Sequence, residues 1–324
     1  MTLTALSEAE RDLLKLAPAP AHAGAMKAVL TDKPFSDGGW IFERKLDGVR
    51  CIAIRDSGEV RLLSRNDLSL NGRYPDIAAA LTAQPQQRFA VDGEVVAFDG
   101  SQTSFAKLAQ RGRTHVPVFF YIFDVLWLDG QDVRRLPLRT RKRLLREALG
   151  FQDKALRFST HRNRDGEAYF AEACRKGWEG LIAKRADSPY TAKRSRDWLK
   201  LKCGQGQELV IGGFTAPQGS RSEFGALLLG YYDGDELRYA GKVGTGFDAD
   251  TLHWLGERLR QLAQDEPAFA DAAGIRERAV QWVKPELVAA VGFSEWTTAG
   301  RLRHPRFLGL RDDKSPRAVV RERP

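Results

Sequence analysis

Cysteine is scarce in this sequence, and its three residues are widely spaced. Cys51, Cys174 and Cys203 form no CxxC pair. A disulfide framework or a structural zinc site needs more cysteines at regular, closer spacing. The sequence therefore predicts three reduced, structural cysteines and a fold held together by its apolar core.

Long apolar runs are also missing. No stretch approaches the roughly 18 consecutive apolar residues that indicate a membrane-spanning helix, and the mean hydropathy is −0.40. The first residues, MTLTALSEAERDLLKLAPAP, mix acids with bases and lack the charged start and apolar block of a secretory signal. These absences predict a cytoplasmic protein without a membrane partner.

Two common phosphate-binding signatures are absent as well. No GxxxxGK[ST] loop occurs, which argues against a P-loop nucleotidase. The segment GKVGTGF, residues 241–247, contains GxG but lacks the strand, turn and helix context of a dinucleotide-binding fold. Any nucleotide chemistry must therefore use a different device.

Acidic residues are too few to balance the basic ones. The chain has 51 Lys and Arg against 42 Asp and Glu, a net charge of +9. This excess favours a polyanionic partner such as nucleic acid, although a solvated basic surface without function is the competing interpretation. The basic run at residues 134–146 is a candidate for contacts with a phosphate backbone.

The order of elements indicates an α+β fold in two domains, which suits a length of 324 residues. Alternating strands at 49–55 and 59–65, joined by a turn with Gly58 available for positive φ, mix with helices without a regular βαβ rhythm. We predict a first domain of mainly antiparallel sheets, residues 1–203. Short strands and one inserted helix then predict an OB-fold β-barrel, residues 204–324.

One lysine stands in unusual surroundings. Lys45 follows the apolar segment GGWIF, within ERKLDGVR. A lysine amine becomes a covalent nucleophile when burial and neighbouring cations favour its neutral form. A surface lysine paired with Asp47 is the alternative.

Two further lysines support the chemical interpretation. Lys200 and Lys202 alternate with leucines in WLKLK, so both amines point to one face of a strand. Two like charges on one face repel unless an anion lies between them. A triphosphate meets that need, and these lysines near Lys45 would favour its neutral form.

These motifs occur in a recognisable order. KLDGVR is followed by DGE at 92–94, FD at 123–124, EGLIAK at 179–184, WLKLK at 198–202 and LRDDK at 310–314. The set resembles the covalent nucleotidyltransferases, and within them the ATP-dependent DNA ligases, most closely the ligase module of bacterial non-homologous end-joining ligases. The resemblance runs from about residue 40 to residue 314 and implies an adenylation domain followed by an OB-fold.

The resemblance implies roles for the residues around the first motif. Lys45 would attack the α-phosphorus of ATP and hold AMP, and Glu43 would read the adenine amino group. Asp47 would orient Lys45, Gly48 would let the backbone approach the nucleotide, and Arg50 would bind the ribose side.

The later motifs would complete the ATP and Mg²⁺ or Mn²⁺ site. Glu94 and Glu179 would serve as metal ligands, with Glu94 also near the ribose. The remaining expected nucleotide-binding residues are Arg65, Phe123 stacked on adenine, Lys184, Arg194, Lys200 and Lys202 at the α-phosphate, and Arg311, Asp313 and Lys314 at the departing pyrophosphate. Lys193 precedes Arg194 where the family commonly has glycine.

The implied activity is sealing of DNA breaks between 5′-phosphate and 3′-hydroxyl ends through lysyl-AMP. An RNA ligase, a capping-type guanylyltransferase and a catalytically silent nick-binding module are the alternatives. Implied partners are nicked or broken duplex DNA, a Ku-like end-binding protein and polymerase or nuclease activities on separate chains. The protein is expected to act as a monomer with a hinge at residues 203–207.

Overall fold

The computed structural model describes residues 2–109, 116–217 and 223–322. Its residues fall into two compact units. The first ends at Cys203 and the second begins at Gly204. Each is described below by itself.

The first unit carries fourteen strands and five α-helices among its described residues. The strands are β1 Lys15–Leu16, β2 Lys27–Leu30, β3 Trp40–Lys45, β4 Val49–Asp56, β5 Arg61–Ser64, β6 Arg88–Val96, β7 Phe98–Asp99, β8 Gln102–Thr103, β9 Phe119–Leu128, β10 Gln131–Asp132, β11 Leu156–Phe158, β12 His161–Asn163, β13 Gly180–Arg185 and β14 Arg194–Lys202. The helices are α1 Glu8–Arg11, α2 Pro75–Thr82, α3 Phe105–Ala109, α4 Leu138–Ala148 and α5 Gly166–Arg175.

Two large sheets and the separate β7–β8 pair build this unit, and nearly all of their pairings are antiparallel. One follows the order β1-β10-β9-β6-β4-β5, with β11 added parallel to β9. The other follows β12-β3-β13-β14-β2, whose β2 is parallel to β14. The α+β class predicted from the sequence is confirmed.

The sheet around β6 is buried on both faces, because its central strands carry apolar side chains on both sides. One face of β4, β6 and β9 packs on helices in the largest core cluster, which includes Val49, Val91 and Phe120. Ile52, Ala90 and Phe123 belong to a second cluster with Trp198 of the other sheet. The apolar layer between the sheets therefore fixes the spacing of the elements that carry the predicted motifs.

Helix α4 has an apolar stripe with two cations in it. Leu138, Leu144 and Leu145 are fully buried, and so is Arg141, whose guanidinium pairs with the equally buried Asp124 at 2.7 Å. Such a pair tolerates the loss of neither partner, since the other would remain as an unpaired buried charge. Part of the basic run at 134–146 is therefore structural.

Local predictions had mixed outcomes. In the turn at residues 56–58, the residue with positive φ is Ser57 (φ 60), not Gly58. The β4–β5 hairpin thus turns one residue earlier than predicted. The segment SFAKLAQRGR, residues 104–113, also predicts a helix from its sequence. This helix is confirmed as α3 over Phe105–Ala109, and residues 110–113 lie outside the described part of the chain.

The prediction of three reduced cysteines is wrong for two of them. Cys174 in α5 and Cys203 after β14 form a disulfide, and only Cys51 is free. The pairing arises because α5 packs beside β13, which is hydrogen bonded to β14. A sequence separation of 29 residues gave no sign of it.

The second unit is a β structure with one α-helix among its described residues. Its strands are β15 Gln205–Thr215, β16 Leu227–Asp233, β17 Glu236–Val243, β18 Ala263–Gln264, β19 Val280–Val283, β20 Val288–Phe293, β21 Glu295–Trp296, β22 Leu302–Arg303 and β23 Arg306–Leu310. Strand β15 pairs with β16, β19 and β20, so it links both halves of the sheet. Helix α6, Ala249–Gln261, begins after the N-cap residue Asp248, whose side chain accepts from the Thr251 amide.

Throughout the described ranges, the helices are too short or too polar to cross a lipid bilayer.

Candidate active site

Strand register places the predicted lysines side by side. Lys45 on β3 lies opposite Gly180 on β13, and Gly180 lies opposite Lys202 on β14. Residues directly opposite each other in adjacent strands share a face of the sheet. Gly180 is required in the middle, since its φ is +146° and a Cβ there would lie 1.9 Å from the Leu201 carbonyl oxygen.

The next row repeats the pattern two residues away. Glu43 lies opposite Ile182, and Ile182 lies opposite Lys200. Because side chains alternate along a strand, the side chains of this row lie on the same face of the sheet as those of Lys45 and Lys202. One face of a three-stranded patch thus gathers residues that are up to 159 positions apart in sequence, as counted from Glu43 to Lys202.

The Lys45 ammonium contacts Glu179. The Nζ atom donates a short hydrogen bond to Glu179 Oε1, and the two side chains are 18% and 31% exposed. Burial disfavours the charged amine, but attraction to Glu179 outweighs it and raises the pKa of Lys45. The expectation that Lys200 and Lys202 keep Lys45 neutral is therefore wrong here, because the nearest charge is a carboxylate.

The site has the features that a hard cation needs. The second carboxylate oxygen of Glu179, Oε2, is buried and has no hydrogen-bond partner. Glu94 acts electrostatically on Lys45, so it belongs to the same neighbourhood. The described residues hold no cluster of three His, Cys, Asp or Glu side chains placed for a metal. Two carboxylates fit Mg²⁺, which completes its shell with water and substrate phosphates.

Glu43 occupies a sealed position behind this pair. Its carboxylate accepts from Lys142 at 2.6 Å, from Lys184 at 2.8 Å and from the Ser159 hydroxyl at 3.2 Å. Burial raises its pKa, but the two lysines outweigh that effect and the net pKa is lowered. Both carboxylate oxygens of Glu43 accept hydrogen bonds from protein groups. The role predicted for Glu43 was a contact with the adenine amino group.

Lys142 is the functional-site residue that the sequence analysis missed. Its ammonium also donates to the Ser159 carbonyl at 2.9 Å, and its side chain is 3% exposed. The available signal was its position on α4, four residues after Leu138 and three before Leu145. A lysine on an apolar stripe needs a buried acid as partner.

Arg50 is fixed by an acid from the DGE motif. Its guanidinium makes two 2.5 Å hydrogen bonds to Asp92, which is fully buried and also accepts from the Tyr190 hydroxyl at 2.6 Å. The attraction of Asp92 overcomes burial and raises the pKa of Arg50. Its guanidinium carbon lies 4.7 Å from the centre of the Phe123 ring.

Phe123 and Trp198 enclose Lys184. The Lys184 amine lies 4.1 Å from the centre of each ring, a distance typical of cation–π attraction. Burial lowers the pKa of Lys184 to about 8, against the opposing attraction of Glu43. Phe123, the predicted stacking residue, is 7% exposed and packs edge-on against Trp198, with ring centres 5.9 Å apart.

Asp47 and Gly48, which follow Lys45, both contribute to the packing of the first unit. Asp47 accepts a hydrogen bond from the Phe105 amide at 3.3 Å, which ties the loop to α3. A Cβ on Gly48 would lie 2.2 Å from the Val95 carbonyl oxygen. Gly48 is therefore required by the packing of β6, independently of any nucleotide.

The other predicted residues are more scattered. Arg65 follows β5 and is partly exposed, while Arg194 opens β14 and donates to the Ala28 carbonyl at 2.7 Å. In the second unit, Arg311 pairs with Asp313 at 2.8 Å and Lys314 with Glu208 at 3.0 Å.

Comparison with known proteins identifies the family. Residues 21–202 match the model of the ATP dependent DNA ligase domain, and residues 220–314 match that of the ATP dependent DNA ligase C terminal region. The chain belongs to the ATP-dependent DNA ligase family. This result confirms the resemblance, the adenylation-type first domain and an OB-fold in the second.

Several relatives are named as non-homologous end-joining proteins. The chain is 40% identical over 316 residues to the multifunctional non-homologous end joining protein LigD of Pseudomonas aeruginosa, covering 95% of this chain and 37% of that protein. Identity to the Mycobacterium tuberculosis protein LigD is also 40%, over 87% of this chain and 37% of the relative. The chain thus spans little more than a third of these proteins.

A solved structure has the same fold. The mycobacterial DNA ligase D complexed with ATP and MES superposes with a TM-score of 0.68 at 36% identity. The match covers 93% of this chain and 98% of that one.

Proposed function

We propose that this protein is an ATP-dependent DNA ligase that seals breaks through a covalent lysyl-AMP intermediate in DNA repair by end joining. The row formed by Lys45, Gly180 and Lys202 is the observation that carries the proposal. It sets one amine in contact with a carboxylate, and a second cation on the same face of the sheet.

The first step uses Lys45 as the nucleophile. Its Nζ lone pair forms a bond to the α-phosphorus of ATP while the bond from that phosphorus to the pyrophosphate oxygen breaks. The ammonium must first lose a proton, and Glu179 is the carboxylate in contact with it. Lys200 and Lys202 offset the negative charge that develops on the phosphoryl oxygens.

Mg²⁺ or Mn²⁺ would be held by Glu179 and Glu94 and would supply charge neutralisation at the triphosphate. The unpartnered Glu179 Oε2 supports this assignment. Arg50 is held by Asp92 and by the Phe123 ring, and its proposed role is to bind the ribose side. Arg311 and Lys314 of the second unit remain candidates for the departing pyrophosphate.

Duplex DNA is the proposed substrate of the two later transfers, in which AMP passes to a 5′-phosphate and a 3′-hydroxyl then displaces it. Three cations on the exposed side of α4 are candidates for backbone contacts. Arg139, Arg143 and Arg146 line a groove of about 330 Å³ together with Phe158 and His161. Their i, i+4 and i+7 spacing places them on one helix face.

The DNA contact can be tested by salt dependence. Replacing Arg139, Arg143 and Arg146 with Gln should weaken binding to nicked duplex and flatten its salt dependence, since the slope follows the number of neutralised phosphates. The matched control replaces the exposed cations Lys33, Lys154 and Arg175 with Gln. Equal losses in both triple variants would remove the groove from the proposal.

The partners follow from the relatives and stay proposals. The matched LigD proteins are named as multifunctional end-joining proteins and are longer than this chain. We propose cytoplasmic action as a monomer, together with a Ku-like end-binding protein and with polymerase or nuclease activities.

Sealing assays test the function directly. The full chain with ATP and Mg²⁺ should join a nicked duplex, and GTP should not replace ATP. Joining of cohesive and blunt ends, with and without a Ku-like protein, separates nick repair from end joining. Sealing of nicked RNA but not of DNA, or labelling by GTP, would reject the proposal.

A further inference from the structure

The last residue of the first unit, Cys203, forms a disulfide with Cys174 of α5 that the proposed chemistry does not use. Cys174 and Cys203 are joined with their Cα atoms 5.1 Å apart. Both residues are partly exposed, whereas Cys51 is fully buried. A small thiol or disulfide in solution can therefore reach the pair.

The disulfide is connected through the backbone to the candidate active site, while the Cys203 side chain packs in the apolar cluster of Phe42, Leu181 and Leu201. Cys203 directly follows Lys202, and its amide donates to the Glu179 carbonyl at 3.0 Å. Glu179 in turn contacts Lys45. The bond thus connects α5 to the backbone that positions two residues of the proposed adenylation machinery.

The disulfide also shortens the link between the two units. Strand β14 ends at Lys202 and β15 begins at Gln205, so only Cys203 and Gly204 lie outside regular structure. The disulfide anchors Cys203 to α5. Gly204 is exposed and has no atom within 4 Å of the position of a Cβ.

We propose that Cys174 and Cys203 are a reversible thiol–disulfide modification site that slows the ligase when oxidised. This inference rests on the proposed function, since successive steps on ATP and on DNA require the link at 203–204 to adopt more than one conformation. The reduced protein has two residues in that link, and the oxidised protein has Gly204 alone.

The redox step is balanced by a small disulfide such as glutathione disulfide. The two cysteine thiols lose two protons and two electrons and form one S–S bond. Glutathione disulfide accepts both and yields two molecules of glutathione. One cysteine thiolate attacks glutathione disulfide, which releases one glutathione and leaves a mixed disulfide. The other cysteine thiolate then displaces the second glutathione.

The test measures sealing in defined redox buffers. The full chain is equilibrated with glutathione at several ratios of disulfide to thiol, free thiols are counted by alkylation and mass spectrometry, and multiple-turnover nick sealing is assayed. We expect turnover to fall several-fold as Cys174 and Cys203 become protected from alkylation, and to recover fully with dithiothreitol. Unchanged turnover in the protected protein would overturn the inference.

Variants separate this site from other oxidation. Cys174→Ser and Cys203→Ser should each retain the turnover of the reduced protein in every buffer, while Cys51→Ala should respond as the wild type does. A Cys174→Ser protein that still slows on oxidation would overturn the proposal. If a serine variant fails to fold, the wild-type thiol count against turnover decides the question.

Failure of this inference differs from failure of the proposed function. A reduced protein that forms no lysyl-AMP rejects the ligase assignment. A reduced protein that seals nicks at the same rate after oxidation rejects the redox site alone.

Discussion

Two lysine–glutamate clusters occupy the same sheet face, two residues apart on β3, and differ in their access to solvent. Lys45 and Glu179 are 18% and 31% exposed, and one Glu179 oxygen has no partner. Glu43 and Lys184 are 3% and 2% exposed, and Lys142 completes their contacts. An incomplete, accessible pair can exchange partners with a substrate, whereas a complete and sealed cluster holds the fold.

The largest effect on stability is expected from Glu43. Glu43→Gln leaves Lys142 and Lys184 buried without a counter-charge, which should cost about 3–5 kcal/mol of the free energy of unfolding. Urea unfolding measures it. Glu147→Gln is the matched control, because Glu147 forms an exposed pair with Arg143 and should change stability by less than about 0.5 kcal/mol. Equal values for both variants would contradict the sealed character of the cluster.

Glu179 should behave in the opposite manner. Glu179→Gln should cost less of the free energy of unfolding than Glu43→Gln, because the Lys45–Glu179 pair is partly exposed. It should lower the rate of lysyl-AMP formation by about 10²-fold, the scale of losing one group that stabilises a transition state. Radiolabelled ATP and gel analysis measure the rate. Glu172→Gln, at an exposed ion pair with Lys176, is the control with no expected change in rate. A wild-type rate for Glu179→Gln would remove Glu179 from the active site.

A substitution of Lys142 should destabilise the sealed cluster less than a substitution of Glu43. Lys142→Met retains the alkyl packing and leaves Glu43 paired with Lys184, so the loss should be about 2 kcal/mol, the value of hydrogen bonds to a charged group. Lys176→Met provides the exposed comparison. A stabilised Lys142→Met protein would show that the lysine serves only the chemistry of the site.

Acid pH should weaken the sealed cluster. The folded-state pKa of Glu43 lies below its ordinary value of 4.5. Its contribution to stability is therefore present above pH 4.5 and is lost as pH falls through the folded pKa. Melting temperatures from pH 7 to pH 3 should fall less steeply in Glu43→Gln than in the wild type. Parallel curves would contradict the lowered pKa.

The overall fold could be predicted from the sequence because its signals are local. The alternation of apolar and polar residues in β4, β5 and β14 depends on a few neighbouring residues. The order of the motifs added the family. The row of Lys45, Gly180 and Lys202 needs strand register across long loops, which alternation alone does not specify.

The failures arose where packing partners lie far apart in sequence. Lys142 appeared as part of a basic surface run, yet its acid partner lies 99 residues away on β3. Cys174 and Cys203 carried no spacing signal. The resemblance gave Gly48 a role in nucleotide binding, but the position requires glycine because the Val95 carbonyl leaves no room for a Cβ. The raised pKa of Lys45 depends on Glu179, which follows it by 134 residues.

The most direct test of the open pair is to locate the covalent AMP. The reduced full chain is mixed with ATP and Mg²⁺ in the absence of DNA, digested, and its peptides are examined by mass spectrometry. The account predicts one AMP on the peptide that contains Lys45 and none in Lys45→Ala. An adduct on Lys142, Lys184, Lys200 or Lys202, or a label retained by Lys45→Ala, would contradict it.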